Sequence, residues 1–322
     1  MNIIPKTLNF LFSLALLLSL SCASKETTTP NPSEKAFDQL LYFGFALVDV
    51  GWDDPSDDPI SKINYLDEVA AFTNIADILV VSPTDQIVDR LEAMDAVQVK
   101  AYLHLNEIFF EYADTDAPSG ANYNLRADFK ARWDLFVASN DLQNQKTLIQ
   151  AFYVGEEPLW NGISFEELKA AADYLKASFP EVPTMLIEAH PIVDQLQIPA
   201  SIDWVGFDRY FLKDPQTSTD YQRELNVLKS KFSREDQSLV LIMDAHFIDW
   251  AHGDFGGLTV NDMRQVATNY YQLAKAESQT VAIIGYFWPS GFDDPNAVGA
   301  RHLPAEVKAE YERIGKSITR KN

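Results

Sequence analysis

The tetrapeptide Gly155-Glu156-Glu157-Pro158 places two adjacent carboxyls directly after the apolar run Ile149 to Val154. Like charges side by side are poor structural glue, but they suit proton transfer, because each raises its neighbour's pKa toward the working range of a general acid. Polar and aromatic residues gather in the same way after other apolar runs: Asp49 and Trp52; His104, Asn106 and Glu107; Glu188 and His190; Asp208, Arg209 and Tyr210; Asp244, His246, Asp249 and Trp250; and Trp288. Trp160 follows the glutamate pair itself. Carboxyls interleaved with indole and phenol rings suit a sugar, whose hydroxyls need bidentate acceptors and whose C–H faces pack on aromatic rings.

Eight apolar runs must position these groups: Leu41 to Val50, Ile78 to Val81, Val97 to Leu105, Ile149 to Val154, Thr184 to Ile187, Trp204 to Phe207, Leu239 to Met243 and Val281 to Phe287. They are near-continuous rather than alternating, as strands covered on both faces require. Between them the period is 3.6 residues: Ile63, Leu66, Val69 and Ala70; Ile87, Leu91 and Met94; Leu125, Phe129, Trp133 and Phe136; Leu168, Ala172, Leu175 and Phe179; Leu225, Leu228 and Phe232; Val260, Met263, Val266, Tyr270 and Leu273; Val307, Tyr311 and Ile314. Ser164 with Glu167 three residues on predicts a capping box, and Pro191 to Pro199 leaves room for only a short helical turn in the fifth unit. Eight strand-helix units in about 285 residues predict an α/β fold, a closed (β/α)8 TIM barrel spanning 37–322 as a single domain. No Gly-x-Gly-x-x-Gly follows the first run, and neither a P-loop nor a Gly-x-Ser-x-Gly elbow occurs, so no cofactor is expected.

Strand parity refines the site. Val240, Ile242, Asp244 and His246 share one face, as do Trp204, Gly206, Asp208 and Tyr210, so each set can point into a barrel mouth. Glu157 shares parity with the small residues Ala151 and Gly155, which favours Glu157 over Glu156 as the inward carboxyl.

Glu157-Pro158 after the fourth run resembles the Asn-Glu-Pro motif of clan A glycoside hydrolases. Trp204-Val-Gly-Phe-Asp208-Arg-Tyr210 is similar to their sixth-strand segment, and Gly285-Tyr-Phe-Trp288 to the eighth-strand segment that ends in a sugar-stacking Trp. The resemblance implies a glycosidase working through two carboxyls, with Glu157 as general acid/base. Two departures stand out: the family's Asn is Glu156 here, and its strand-seven nucleophilic Glu falls on Asp244. An Asp reaches one methylene less, which alters the separation that decides between a covalent intermediate, at about 5–5.5 Å, and inversion through water, at about 6.5–9.5 Å. The expected catalytic pair is Glu157 with Asp244, with Glu156, Glu188 and Asp208 as alternatives. Substrate contacts are expected from Trp52, His104, Asn106, Trp160, His190, Tyr210, His246, Trp250 and Trp288.

Two other readings compete: a surface glycan-binding barrel without catalysis, and a metal-dependent barrel hydrolase. The second would draw on Asp244, His246 and His190, but with five histidines and no His-x-His after the first run, no metal is expected. The acidic loop Asp53, Asp54, Asp57 and Asp58 lacks the spacing of a calcium loop.

The amino terminus reads as an export signal over 1–22, with Lys6 ahead of the apolar stretch Leu8 to Leu20. Leu18-Ser-Leu-Ser-Cys22 resembles a relaxed lipobox, and the solitary cysteine fits an acylated mature terminus; cleavage after Ala23 is the alternative. A Ser-, Thr- and Pro-rich linker over 23–36 would tether the barrel. The expectation is a monomeric lipoprotein of the outer membrane or cell surface, held through Cys22, or otherwise a periplasmic or secreted soluble protein. Its partners would be a carbohydrate and, through the lipid, the membrane. A formal net charge of −21 argues against a nucleic-acid partner.

Overall fold

The computed structural model describes residues 39–57, 61–114 and 116–322. The signal segment 1–22, Cys22, the linker 23–36 and Asp58 lie outside them.

Eight parallel strands form a nearly closed (β/α)8 barrel. In chain order β1 is Tyr42–Phe45, β2 Ile75–Leu79 and β3 Lys100–His104. A hairpin of β4 (Phe110–Asp114) and β5 (Asn122–Leu125) follows and stands apart from the barrel. The barrel resumes with β6 Ile149–Glu156, β7 Thr184–Ala189, β8 Trp204–Asp208, β9 Ser238–Asp244 and β10 Thr280–Tyr286. Strand order runs β1-β10-β9-β8-β7-β6-β3-β2. The seam between β1 and β2 closes by side-chain and bridge contacts: Asn74 Oδ1 accepts the Phe43 N–H at 2.9 Å, the Asn74 N–H reaches Phe43 O at 3.0 Å, and Asp49 bridges Ile78. Gly44 makes this approach possible, since a Cβ there would stand 2.2 Å from the Ile75 carbonyl oxygen.

Two apolar compartments explain why the runs do not alternate. Ala151, Tyr153, Met185, Ile187, Val240 and Ile242 fill the barrel lumen. Phe152, Val154, Leu186, Leu239, Leu241 and Met243 point outward under the helices. Burial on both faces removes the polar half of the pattern that a one-sided sheet would show. The helix Phe165–Ser178 carries the predicted capping box, with Ser164 and Glu167 satisfying each other's backbone N–H, and buries Leu168, Ala171, Ala172 and Leu175. The fifth unit holds only a 3-10 turn, His190–Gln195.

The differences from the sequence reading lie in the third unit and at helix starts. Leu125 ends β5 instead of opening a helix, which begins at Phe129. Tyr112 and Tyr123 face each other edge-on across the hairpin at 5.9 Å, a cross-strand pairing that helical periodicity cannot show. The first helical pattern shrinks to Leu66–Val69, Ile63 is exposed, and Phe232 lies beyond the helix Thr219–Ser230.

Candidate active site

A cavity of about 390 Å³ opens at the carboxyl ends of the barrel strands. Its apolar floor includes Ala46, Ile187, Ile242 and Ile284. Five carboxyl groups line it, Asp77, Glu156, Glu157, Asp208 and Asp293, and so do the rings of Tyr102, Tyr153, Tyr210, Tyr286 and Phe292. Tyr210 and Tyr286 stack at 5.2 Å with an interplanar angle of 14°.

Glu157 sits on a turn that the chain would not adopt unaided. Its φ is +42°, in the left-handed region that costs a non-glycine residue roughly 1–2 kcal/mol. Local bonds hold it there: the Glu157 N–H reaches Ile187 O at 2.7 Å, and the Asn161 N–H reaches Glu157 O at 2.8 Å. Below the turn, the buried carboxyl of Glu188 accepts the N–H groups of Leu159 at 2.9 Å and Trp160 at 3.2 Å. Glu188 therefore holds the turn and does not line the cavity. Its pKa is pushed up to about 7 by burial, against the pull of those backbone donors.

Burial, followed by the neighbouring charge of Glu156, pushes Glu157 up to about 7, while a hydrogen bond with Asp208 pulls it back and Asp293 adds a smaller push. Burial and the proximity of Glu157 carry Asp208 well above the usual carboxyl range. The two titrate as a unit, with Asp208 the member that keeps a proton to give. The Tyr153 hydroxyl donates to Glu156 Oε2 at 2.5 Å, and the Tyr286 hydroxyl donates to Asp293 Oδ2 at 2.9 Å. His104 lies over Tyr153 with centroids 4.7 Å apart, and burial lowers its pKa.

Asp244 is the principal correction. It shares the inward parity of Val240 and Ile242, yet it is fully buried and absent from the cavity lining, where β9 contributes Ile242. Its Oδ2 accepts the Phe211 N–H at 2.8 Å, and its two oxygens lie 3.0 and 3.1 Å from His252 Nε2. The physical reason is the strained turn after β8: Phe211 has φ +67°, and Asp244 fastens it. The same device recurs after β1, where Leu47 has φ +63° and Asp77 accepts the N–H groups of Leu47 and Val48 at 2.7 and 2.8 Å. Asp77, Glu188 and Asp244 thus each clasp the turn that follows the preceding barrel strand.

Asp244, His246 and His252 bring ligand-type atoms within 4.8 Å of one another, whereas His190 lies beside Arg209 and Glu224. The donor set fits a metal poorly. His252 Nδ1 accepts the Ile248 N–H at 2.9 Å, which leaves the ring proton on Nε2, pointed at Asp244, and His246 Nδ1 donates to Tyr286 O at 2.9 Å. Both ring nitrogens of His252 are committed to hydrogen bonds, which leaves only His246 Nε2 and Asp244 of the three to offer a lone pair, too few to hold a cation.

The remaining expected contacts divide sharply. His104 and Tyr210 line the cavity, while Asn106 and His190 do not. Trp288 is buried against Phe45 at 4.8 Å with its indole N–H on Glu68, so it belongs to the core between barrel and helices. His246 is buried in a stack on Phe287. Trp52 meets Phe292 edge-on at 5.1 Å and so buttresses the cavity wall from behind. Trp160 is half-buried at the Glu188 clasp, and Trp250, 59% exposed, donates to Asp294 beside the cavity's Asp293. Sequence reasoning missed Asp77, Tyr102, Tyr153, Tyr286, Phe292 and Asp293. Parity had a signal for two of them, since Tyr102 and His104 alternate on one face and Tyr153 shares the face of Glu157.

Fold and site together define a (β/α)8 barrel with an acidic, aromatic-lined cavity at its functional rim. Solved structures with the same fold include xylanase 10B of Thermotoga maritima, at 12% identity and a TM-score of 0.54 over 90% of this chain and 98% of that one. A GH113 beta-1,4-mannanase matches at 11% identity and 0.52, over 85% and 99%. Saccharomyces cerevisiae Gas2p in complex with laminaritriose and laminaritetraose matches at 14% and 0.53, over 88% of this chain and 65% of that one. No protein-family model matches the chain, and no curated protein sequence does.

Proposed function

We propose that this barrel is a glycoside hydrolase in which Glu157 protonates the departing glycosidic oxygen. The observation that carries the reading is Glu157 itself, held by a strained turn in a carboxyl-lined cavity and kept protonated near neutrality by burial and Glu156. Asp208 would stabilise the carboxylate left after proton transfer by donating the hydrogen bond they share. Asp293, which holds the Tyr286 hydroxyl, would take the proton of the attacking water. Xylan-, mannan- and laminarin-type oligosaccharides are the first substrates to try, given the names of the proteins that share the fold. The test is reducing-end release from such a panel; hydrolysis of at least one member, lost in Glu157→Gln, supports the reading.

Sequestration of Asp244 favours one rival, a surface glycan-binding barrel that has lost its strand-seven carboxyl. Saturable binding of an oligosaccharide with no product after prolonged incubation would establish that rival in place of hydrolysis.

We also propose that the chain is exported and tethered through acylated Cys22, with the linker 23–36 as spacer to the barrel. Among the described residues no helix is long and apolar enough to cross a membrane. Two or more acyl chains anchor stably where one does not. Cys22→Ala should therefore move the protein from the membrane to the soluble fraction; unchanged fractionation retires the tether.

A further inference from the structure

The cavity holds five carboxyl groups, and no lysine or arginine lines it among the described residues. The one basic side chain in the lining is His104, which burial keeps from taking up a proton. Even with Glu157 and Asp208 both protonated, Asp77, Glu156 and Asp293 leave the lining formally anionic, with no resident counter-charge. A second observation is independent of that count. The Nε2 of His104 is buried, has no hydrogen-bond partner, and stands 3.4 Å from Glu156 Oε2. With the ring proton on Nδ1, the bare Nε2 and the carboxylate beside it both seek donors, and a primary ammonium, with three N–H groups on one atom, serves both where a hydroxyl serves one. The surrounding phenol rings present negative π-faces, which suit a cation as well as a sugar.

Building on the glycosidase reading, we propose that the sugar recognised here carries a free, protonated amine, placed between His104 and Glu156 with Asp293 across the cavity mouth. Neutral sugars would leave the anionic lining uncompensated. Polyanionic glycans, such as uronates or sulfated chains, would be repelled by it.

The purified full chain is titrated calorimetrically with fully deacetylated chitotetraose, its N-acetylated form and cellotetraose at low and high ionic strength. The amine-bearing oligomer should bind about tenfold or more tighter than either neutral one at low salt, with the advantage shrinking as salt screens the charges. Glu156→Gln and Asp293→Asn, checked for unchanged circular dichroism, should each cut that advantage severalfold. Equal or weaker binding of the amine form overturns the inference, as does a preference that survives both high salt and both substitutions. Turnover of neutral oligosaccharides without preference for the amine retires this inference and leaves hydrolysis standing. Amine-selective binding without turnover of any oligosaccharide keeps the ligand class and retires hydrolysis.

Discussion

Glu157→Gln should lower kcat/KM on an oligosaccharide by about 10²- to 10⁴-fold, the usual worth of general acid assistance. The loss should be much smaller on an aryl glycoside whose leaving group departs without protonation. In the parent protein the rate should fall as pH rises through about 7, where Glu157 gives up its proton. Glu156→Gln supplies the control, because it removes the like charge that is second only to burial in raising Glu157. The Glu157 pKa then drops, so the alkaline limb should move to lower pH while the enzyme stays folded and active. Losses of similar size in both variants, independent of leaving group, would refute the assignment. Loss confined to Glu156→Gln would transfer the role to Glu156.

The second large effect is on stability. Asp244→Ala strips partners from the Phe211 N–H and from His252 at a fully buried position, and each donor left unsatisfied costs about 1–3 kcal/mol. Urea unfolding should show a lower midpoint at an unchanged slope, since the loss is in stability and not in the surface exposed. Asp244→Asn separates this role from chemistry. As a clasp residue it should lose stability and retain turnover in the folded fraction, whereas a variant that melts normally and has no activity would restore Asp244 as a catalytic carboxyl.

The barrel was legible in the chain because its strands are apolar on both faces and its helices carry the 3.6 period; the fourth unit could be read down to its cap at Ser164. The hairpin was not, since β4 and β5 are short and mostly solvated, and Leu125 and Phe129 mimic a helical step. In the site, the sequence located the Glu157 turn and brought His104, Asp208 and Tyr210 to one rim. It could not distinguish a carboxyl that faces the cavity from one that faces its neighbour's backbone. Asp244 and Asp208 both end a strand with inward parity, and only the strained Phe211 turn, invisible in residue types, draws Asp244 away. Trp288 was misplaced for a related reason: two residues past β10 the chain turns back under the helices, and strand periodicity stops applying.

The three clasps also set the unit in which this rim can be re-engineered. Leu47, the Glu157 turn and Phe211 each owe their backbone conformation to a carboxyl on the following strand, Asp77, Glu188 or Asp244. A loop grafted alone into another barrel would arrive without its anchor and relax to an ordinary turn, swinging its side chain off target. The transplantable module is strand, turn, helix and next strand together, so shuffling libraries for this scaffold should place their crossovers in helices that no clasp spans, such as Val88–Ala96 or Met263–Ala276, and not in Leu66–Val69, Phe165–Ser178 or Thr219–Ser230.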